Sequence, residues 1–176
     1  RGQDLAALIA KLFLGYGITV YFFDEACPYP EVTFAVPNLR ADAGILISAS
    51  HNDYRYNGYK LSCGNGSQFD PKERDEIYEK YIKPATIAQV ILREFKDAEK
   101  DQLWFLGGAE PLPGFDYFGR EDHLINMHER HVKHVMSFLL QPDMIKNQKN
   151  PLNIAYCAFN GAGRKAVPSI LGGTGF

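Results

Sequence analysis

An α/β fold follows from three features of the sequence. Short apolar runs of strand length alternate with longer segments of helix length. The run at residues 43–48 is continuous and apolar, which suits a strand covered on both faces of a parallel sheet. Glycine, proline and asparagine fall between the runs and mark the turns. The expected architecture is a three-layer α/β/α domain with a mixed, largely parallel sheet, followed by the beginning of a second similar domain.

The elements follow in chain order. Residues 3–15 read as a helix, with Asp4 in its first turn favouring the dipole. Residues 18–23 are β-branched and aromatic and read as a strand that Asp24 and Glu25 close. Together, residues 5–23 approach the length of a membrane span, but Lys11, Gly15 and Gly17 interrupt them, so a helix, a turn and a strand are expected instead. Tyr29-Pro30-Glu31 opens a helix to about residue 38. Strands are expected at 43–48 and 58–63. Asp70-Pro71 starts a helix to about residue 82, with proline in the first turn. Pro84 breaks it, and a further helix is expected to about residue 95. Residues 96–120 change character and read as a long loop or insertion, with the aromatics Trp104, Phe105 and Phe115 anchoring it to the core. Residues 121–140 read as a helix, 141–150 as a polar linker, 152–159 as a strand, 160–163 as a tight loop and 164–171 as a helix.

Composition excludes several function classes. A formal net charge of −2 provides no basic face for nucleic acid and no polybasic patch for a membrane. With 10 Tyr and 12 Phe the chain can fill a core, which argues against disorder. Cys27, Cys63 and Cys157 are odd in number and lack metal-ligand spacing, so a reduced, cytoplasmic setting is expected. The chain opens on Arg1 and closes on Phe176 after a glycine-rich stretch, and both ends read as cuts through a longer protein.

Chemistry concentrates after the apolar run at 43–48. Ser48, Ala49, Ser50, His51 and Asn52 follow it directly. In open α/β sheets ligands bind at the carboxyl ends of strands. Lys60 follows eight residues after Asn52, within Asn57-Gly58-Tyr59-Lys60. Gly58 permits a turn that would fold the lysine strand back toward the serine loop. A hydroxyl, an imidazole and an ammonium converging on one spot suit phosphoryl transfer: the serine accepts the group, and the other two supply donors and positive charge. The bland alternative is ordinary turn chemistry, since Ser, His and Asn all bond nearby backbone.

The spacing favours the sharper reading. The stretch S-A-S-H-N-D-Y-R-Y-N-G-Y-K, Ser48 to Lys60, resembles the active-site loop of the α-D-phosphohexomutase superfamily, the phosphoglucomutases and phosphomannomutases, which reads T-A-S-H-N-P, three residues, then N-G-x-K. Tyr29-Pro30-Glu31, Ala41-Asp42-Ala43-Gly44-Ile45, Asn65-Gly66-Ser67-Gln68 and Asn160-Gly161-Ala162-Gly163 are similar to flanking segments of that family. The resemblance implies that Ser50 is the phosphoserine that donates and re-accepts a phosphoryl group, and that its phosphate is one ligand of Mg²⁺. It implies that His51 is an acid/base or donor, and that Lys60 neutralises phosphate charge or acts as a base. Ser48, Asn52, Asn57 and Gly58 would shape the loop. Two departures stand out. Ser48 replaces the usual Thr and keeps the hydroxyl. Asp53 replaces the usual Pro, and its charge should face solvent.

The resemblance also sets limits. Residues 1–145 correspond to a first domain lacking its opening strands, with 96–120 as an insertion, and 151–176 to the start of a second. The family's metal loop, sugar-recognition loop and phosphate-binding loop lie in its later domains, and none of their motifs occurs here. The implied activity is interconversion of hexose 1-phosphate and hexose 6-phosphate through a bisphosphate, with Mg²⁺ and a hexose 1,6-bisphosphate activator. The partners are then a sugar phosphate and the remaining domains of the full-length protein. A phosphopentomutase, or a non-catalytic α/β binding domain that keeps the loop, is the alternative. The 176-residue chain alone is expected not to turn over.

Three weaker patterns are discounted. His123, His128, His131 and His134 crowd residues 121–140, but their spacing is not the H-E-x-x-H that places two ligands one turn apart, so incidental histidines on a solvated helix are expected rather than zinc. Gly161-x-Gly163-x-x-Ala166 matches a dinucleotide fingerprint weakly. Ser50 lacks the G-x-S-x-G elbow of α/β-hydrolases.

Overall fold

The computed structural model describes residues 1–141, 143–145, 147, 149 and 152–175. Its centre is a parallel three-stranded sheet in the order β1-β4-β5, with β1 at Val20–Phe23, β4 at Leu103–Gly107 and β5 at Leu124–Asn126. Val20 pairs with Leu103 and Phe105 with Leu124. Side chains alternate across a strand. Val20, Phe22, Leu103 and Phe105 therefore face one layer, where they pack with Ala10 and Leu14 of helix α1, Gly2–Gly15. Tyr21, Phe23 and Leu106 face the other layer, where they meet Ala35 of helix α2, Tyr29–Leu39, and Met127 of helix α4, Met127–Met136. The three-layer α/β/α arrangement expected from the sequence is present.

The central strand lies inside the segment expected to be an insertion. LWFLG at β4 is as short and apolar as AGILI, but the charges before it and the glycines after it disguise it. Phe105 is fully buried, and Phe115 stacks near Phe22 at 6.5 Å, so the aromatics anchor this segment as expected. A buried Phe or Leu here contributes about 1.5–3 kcal/mol.

Other expectations are corrected. The run at 43–48 forms β2, Ala43–Ile47, but outside the parallel sheet. It pairs antiparallel with β3, Tyr59–Cys63, as a separate two-stranded ribbon. β2 contacts both α2 and α1, but apart from Gly44 its residues are only partly buried or exposed, so the strand is not doubly buried. The helix expected up to residue 95 is absent. Only single turns at Ile87–Gln89 and Phe95–Asp97 form there. The Arg93 amide instead donates to the Lys11 carbonyl of α1, and Lys11 pairs with Glu94 at 2.7 Å, so this stretch is laid against α1. The helix α3 at Pro71–Ile77 begins with a reciprocal cap between Asp70 and Glu73 and continues as a π-helical turn, Tyr78–Ile82.

The helix expected over 121–140 is split. A short turn at Glu121–His123 leads into β5, and Asn126 then caps α4 by accepting from the Glu129 amide at 3.1 Å. Residues 152–159 form no strand, since no described strand lies beside them to complete a ladder. Of the polar stretch 141–150, residues 142, 146, 148 and 150 lie outside the described residues, as do 151 and 176. Helix α5, Ala166–Thr174, packs on α4. No helix among the described residues is long and apolar enough to cross a membrane.

Candidate phosphoserine loop and the strand-end cluster

The serine loop leaves β2 and returns as β3. Its root is closed by the Ser48 amide, which donates to the Gly58 carbonyl at 2.9 Å and extends the ribbon by one pair. Gly58 works differently from the expectation. It does not adopt a left-handed turn; a Cβ there would lie 2.8 Å from the Ser48 carbonyl oxygen, so glycine is needed for close approach. The Asn57 side-chain oxygen accepts from the Gly58 amide at 3.0 Å.

Ser50 stands at the tip. Its φ of 60° is left-handed, a conformation that costs an L-residue roughly 1–2 kcal/mol. The Ser48 hydroxyl accepts from the Ser50 amide at 3.0 Å, and the Asn52 amide donates to the Ala49 carbonyl at 3.1 Å. The result is an exposed Ser50 hydroxyl 3.3 Å from His51 Nδ1. Such a pair can pass a proton between hydroxyl and imidazole.

Asp53 faces solvent, as expected. Its carboxylate accepts from the Arg55 amide at 3.0 Å and from Arg55 Nε at 2.7 Å. Those bonds hold its carboxyl below the usual aspartate range. The pair tightens the turn where the family pattern has proline.

Lys60 sits opposite Leu46 in the ribbon, with its ammonium 5.6 Å from the centre of the Tyr29 ring. The Tyr29 hydroxyl in turn bonds Ser62 Oγ at 3.0 Å. Lys60 has no carboxylate partner among the described residues, so its charge stays available to an anion, although it makes no hydrogen bond to Ser50 or His51. The Tyr29 ring thus lies beside the Lys60 ammonium, a contact that sequence spacing alone does not reveal. Beside the loop, Arg1, Asp4, Tyr54, Arg55, Tyr56 and Asn57 line an open cleft of about 410 Å³.

Of the histidines in residues 121–140, His134 is exposed on α4, but His123, His128 and His131 are not on a solvated helix face. His123 is buried, stacks on Trp104 at 4.3 Å and bonds the Leu103 carbonyl at 3.0 Å through Nδ1. His131 is buried against Phe34, and burial pulls its pKa down. His134 stacks on the same Phe34 at 4.6 Å.

His128 joins a second polar site at the carboxyl end of β1. Its Nδ1 meets Glu31 of α2, and its Nε2 lies 3.2 Å from Glu25 Oε1. Asp24, the residue after β1, is 2% exposed, and its Oδ2 accepts from the Tyr117 hydroxyl at 2.5 Å. Burial pushes the Asp24 carboxyl up despite that bond. A Cβ on Gly107 would collide with the Asp24 carboxylate at 2.2 Å, so glycine at the end of β4 makes room for it. Burial would also raise Glu25, but Lys165 and Arg164 outweigh it and hold this carboxyl down. The hydrogen bond that His128 donates to Glu31 lifts its pKa, against its burial. Sequence reading missed Asp24, Glu25, Glu31 and Tyr117 as site residues. The available signal was an acidic pair directly after an apolar strand.

Comparison with known proteins bears on the first of these sites. Residues 1–87 match the family described as phosphoglucomutase/phosphomannomutase, alpha/beta/alpha domain I. A probable phosphoribomutase of Schizosaccharomyces pombe is 38% identical over 104 residues, covering 57% of this chain and 18% of the relative. A human phosphopentomutase is 48% identical over 66 residues, covering 38% of this chain and 11% of its own. A phosphoglucomutase of Staphylococcus aureus is 40% identical over 80 residues, covering 46% and 14%. The chain thus spans between 11% and 18% of the length of these relatives.

Proposed function

We infer that this chain, whose residues 1–87 match the first domain of the phosphoglucomutase/phosphomannomutase family, supplies the phosphoserine of a sugar-phosphate mutase. The observation that carries the reading is the Ser50 tip: an exposed hydroxyl, held in a strained turn by short-range hydrogen bonds, with an imidazole beside it. A nucleophile that must alternate between hydroxyl and phosphate ester benefits from such fixed presentation, because positioning supplies most of the help that phosphoryl transfer needs.

In the proposed cycle phosphorylated Ser50 donates to a hydroxyl of a sugar monophosphate. The bond between phosphorus and Ser50 Oγ breaks as a bond to the sugar oxygen forms. The sugar hydroxyl gives up its proton to a base, a role Lys60 can take only as the neutral amine; as an ammonium it neutralises phosphate charge instead. His51 protonates or hydrogen-bonds Ser50 Oγ as it leaves. The bisphosphate then turns over and returns its other phosphoryl group to Ser50 by the reverse steps. Lys60 as an ammonium, and Arg1, provide the positive charge that a dianion requires, while the Arg55 charge is taken up by Asp53.

Mg²⁺ would add Lewis-acid stabilisation of the phosphoryl charge when bound. Phosphorylated Ser50 would supply one ligand through a phosphate oxygen. The grouping of Asp24, Glu25 and His128 does not include Ser50, so the remaining ligands would come from the other domains. Cytoplasmic location and a bisphosphate activator belong to the same proposal.

The preferred sugar divides into two readings. Hexose phosphates follow from the loop pattern. Pentose phosphates are favoured by the names of two of the relatives, the phosphoribomutase and the phosphopentomutase. Full-length protein incubated with glucose 1,6-bisphosphate should gain one phosphoryl group, located to Ser50 by peptide mass analysis and absent in Ser50→Ala. Phosphate elsewhere, or none, overturns the proposal and leaves the non-catalytic binding domain. The ratio of kcat/KM for glucose 1-phosphate and ribose 1-phosphate then decides the sugar. The 176-residue chain alone should show no interconversion.

A further inference from the structure

We propose that Asp24, Glu25 and His128 form a binding site for a zinc-class divalent cation, separate from the phosphoserine loop and independent of the mutase reading. One ligand atom from each of the three lies within 4.8 Å of the other two. Among the described residues this is the one grouping of histidine, cysteine and carboxylate side chains close enough for such a role.

Two observations beyond the grouping point to a ligand. The first is an orphan: Asp24 is buried, and its Oδ1 has no hydrogen-bond partner. A buried carboxylate oxygen without a partner is costly, and a cation would satisfy it. The second is the orientation of His128. Metal-binding imidazoles characteristically donate their other ring N–H to a carboxylate, which fixes the ring and raises its basicity. Glu31, 1% exposed, occupies that place on Nδ1 and leaves Nε2 directed at Glu25. The separation of Glu25 Oε1 and His128 Nε2 is 3.2 Å. Neighbouring ligands of a tetrahedral zinc ion, with bonds of about 2.0–2.2 Å, stand roughly 3.3 Å apart.

The outer contacts also fit. Tyr117 bonds the second oxygen of Asp24, and Arg164 bonds Glu25 Oε2 at 3.1 Å, so both carboxylates are held from behind. The Lys165 ammonium lies on Glu25 Oε1, the oxygen a metal would take. Lys165 is 53% exposed and can swing into water, so it acts as a displaceable cation. A cleft of about 320 Å³, lined in part by Glu31, His128, Arg164 and Lys165, opens beside the cluster and leaves room for a water or an anionic ligand in the fourth position. Binding uses the Nε2 lone pair of His128 and displaces the Lys165 ammonium from Glu25, and any proton carried on Nε2 leaves to solvent. The imidazole favours zinc-class ions over Mg²⁺.

The test uses the whole chain, stripped with a chelator and carrying Cys63→Ser and Cys157→Ser to remove thiol sites. Zn²⁺ is titrated against a chromogenic zinc chelator, with Mg²⁺ in parallel. One equivalent of Zn²⁺ should bind, with no competition from millimolar Mg²⁺. His128→Gln should weaken binding by more than 100-fold. Glu31→Gln, which touches only the far nitrogen, should weaken it by about 10–100-fold. Lys165→Met should tighten it by roughly tenfold, since it removes the competing charge. Absence of one-equivalent binding, binding unchanged by His128→Gln, or a preference for Mg²⁺ overturns the site. If His128→Gln fails to fold, Lys165→Met decides the matter: binding no tighter than in the parent overturns it.

Discussion

The serine loop and the strand-end cluster are built in opposite ways. The loop is exposed, and its contacts are short in sequence: Ser48 to Ser50, Ser50 to His51, Asp53 to Arg55. The cluster is mostly buried, and its contacts are long: Asp24 to Tyr117, Glu31 to His128, Glu25 to Lys165. In the loop, local backbone geometry positions the chemistry. In the cluster, the packing of β1, β4, α2, α4 and α5 does so. Substitution in the loop should therefore change chemistry with little change in stability, and substitution in the cluster should do the reverse.

The largest effect should come from the cluster. His128→Ala leaves Glu31 buried without its partner, and removing one member of a buried pair costs about 3–5 kcal/mol. Urea unfolding followed by circular dichroism reads this directly. Ser50→Ala should stay within about 0.5 kcal/mol of the parent while losing all phosphorylation. If His128→Ala is as mild as Ser50→Ala, the contrast between the two regions fails.

A smaller effect should come from the root of the loop. Alanine at position 58 would press its Cβ onto the Ser48 carbonyl at 2.8 Å. The Ser48–Gly58 bond must then open, at roughly 1–3 kcal/mol by analogy with overpacked sites. Phosphorylation of Ser50 should fall with it, because the tip loses its base. A Gly58→Ala protein with parental stability and parental labelling would show that the loop does not depend on this contact.

The same contrast explains what could be read from the sequence. The Ser50–His51 pair was legible because a loop of fixed length encodes its own geometry, whereas Lys60, expected to converge on the same spot, makes its contact with Tyr29 instead. The helices α1 and α2 were legible because periodicity and first-turn residues, Asp4 in one and Pro30 and Glu31 in the other, are local. Strand β4 was not, since its five apolar residues carry the same signal as a loop anchor, and only pairing with β1 on one side and β5 on the other distinguishes them. His128 was set aside for its spacing within one helix, yet its partners sit about a hundred residues earlier, just after β1 and on α2. A buried ionic site assembled across layers leaves no periodic trace in the chain.

The finest distinction between the regions is strain. Ser50 holds a φ of 60° in the loop, whereas no cluster residue among those described has a positive φ. Glycine adopts that conformation freely, so Ser50→Gly should remove about 1–2 kcal/mol of strain in the folded chain. Part of this gain is lost because glycine widens the unfolded ensemble, at roughly 0.4–1 kcal/mol. A net stabilisation of about 0.5–1 kcal/mol remains. The comparison with Ser50→Ala isolates the backbone, since both variants lack the hydroxyl and only alanine keeps the strain. Paired urea titrations should place Ser50→Gly above Ser50→Ala. The reverse order would mean that the left-handed turn carries no stored cost, and that the hydroxyl is held by its hydrogen bonds alone.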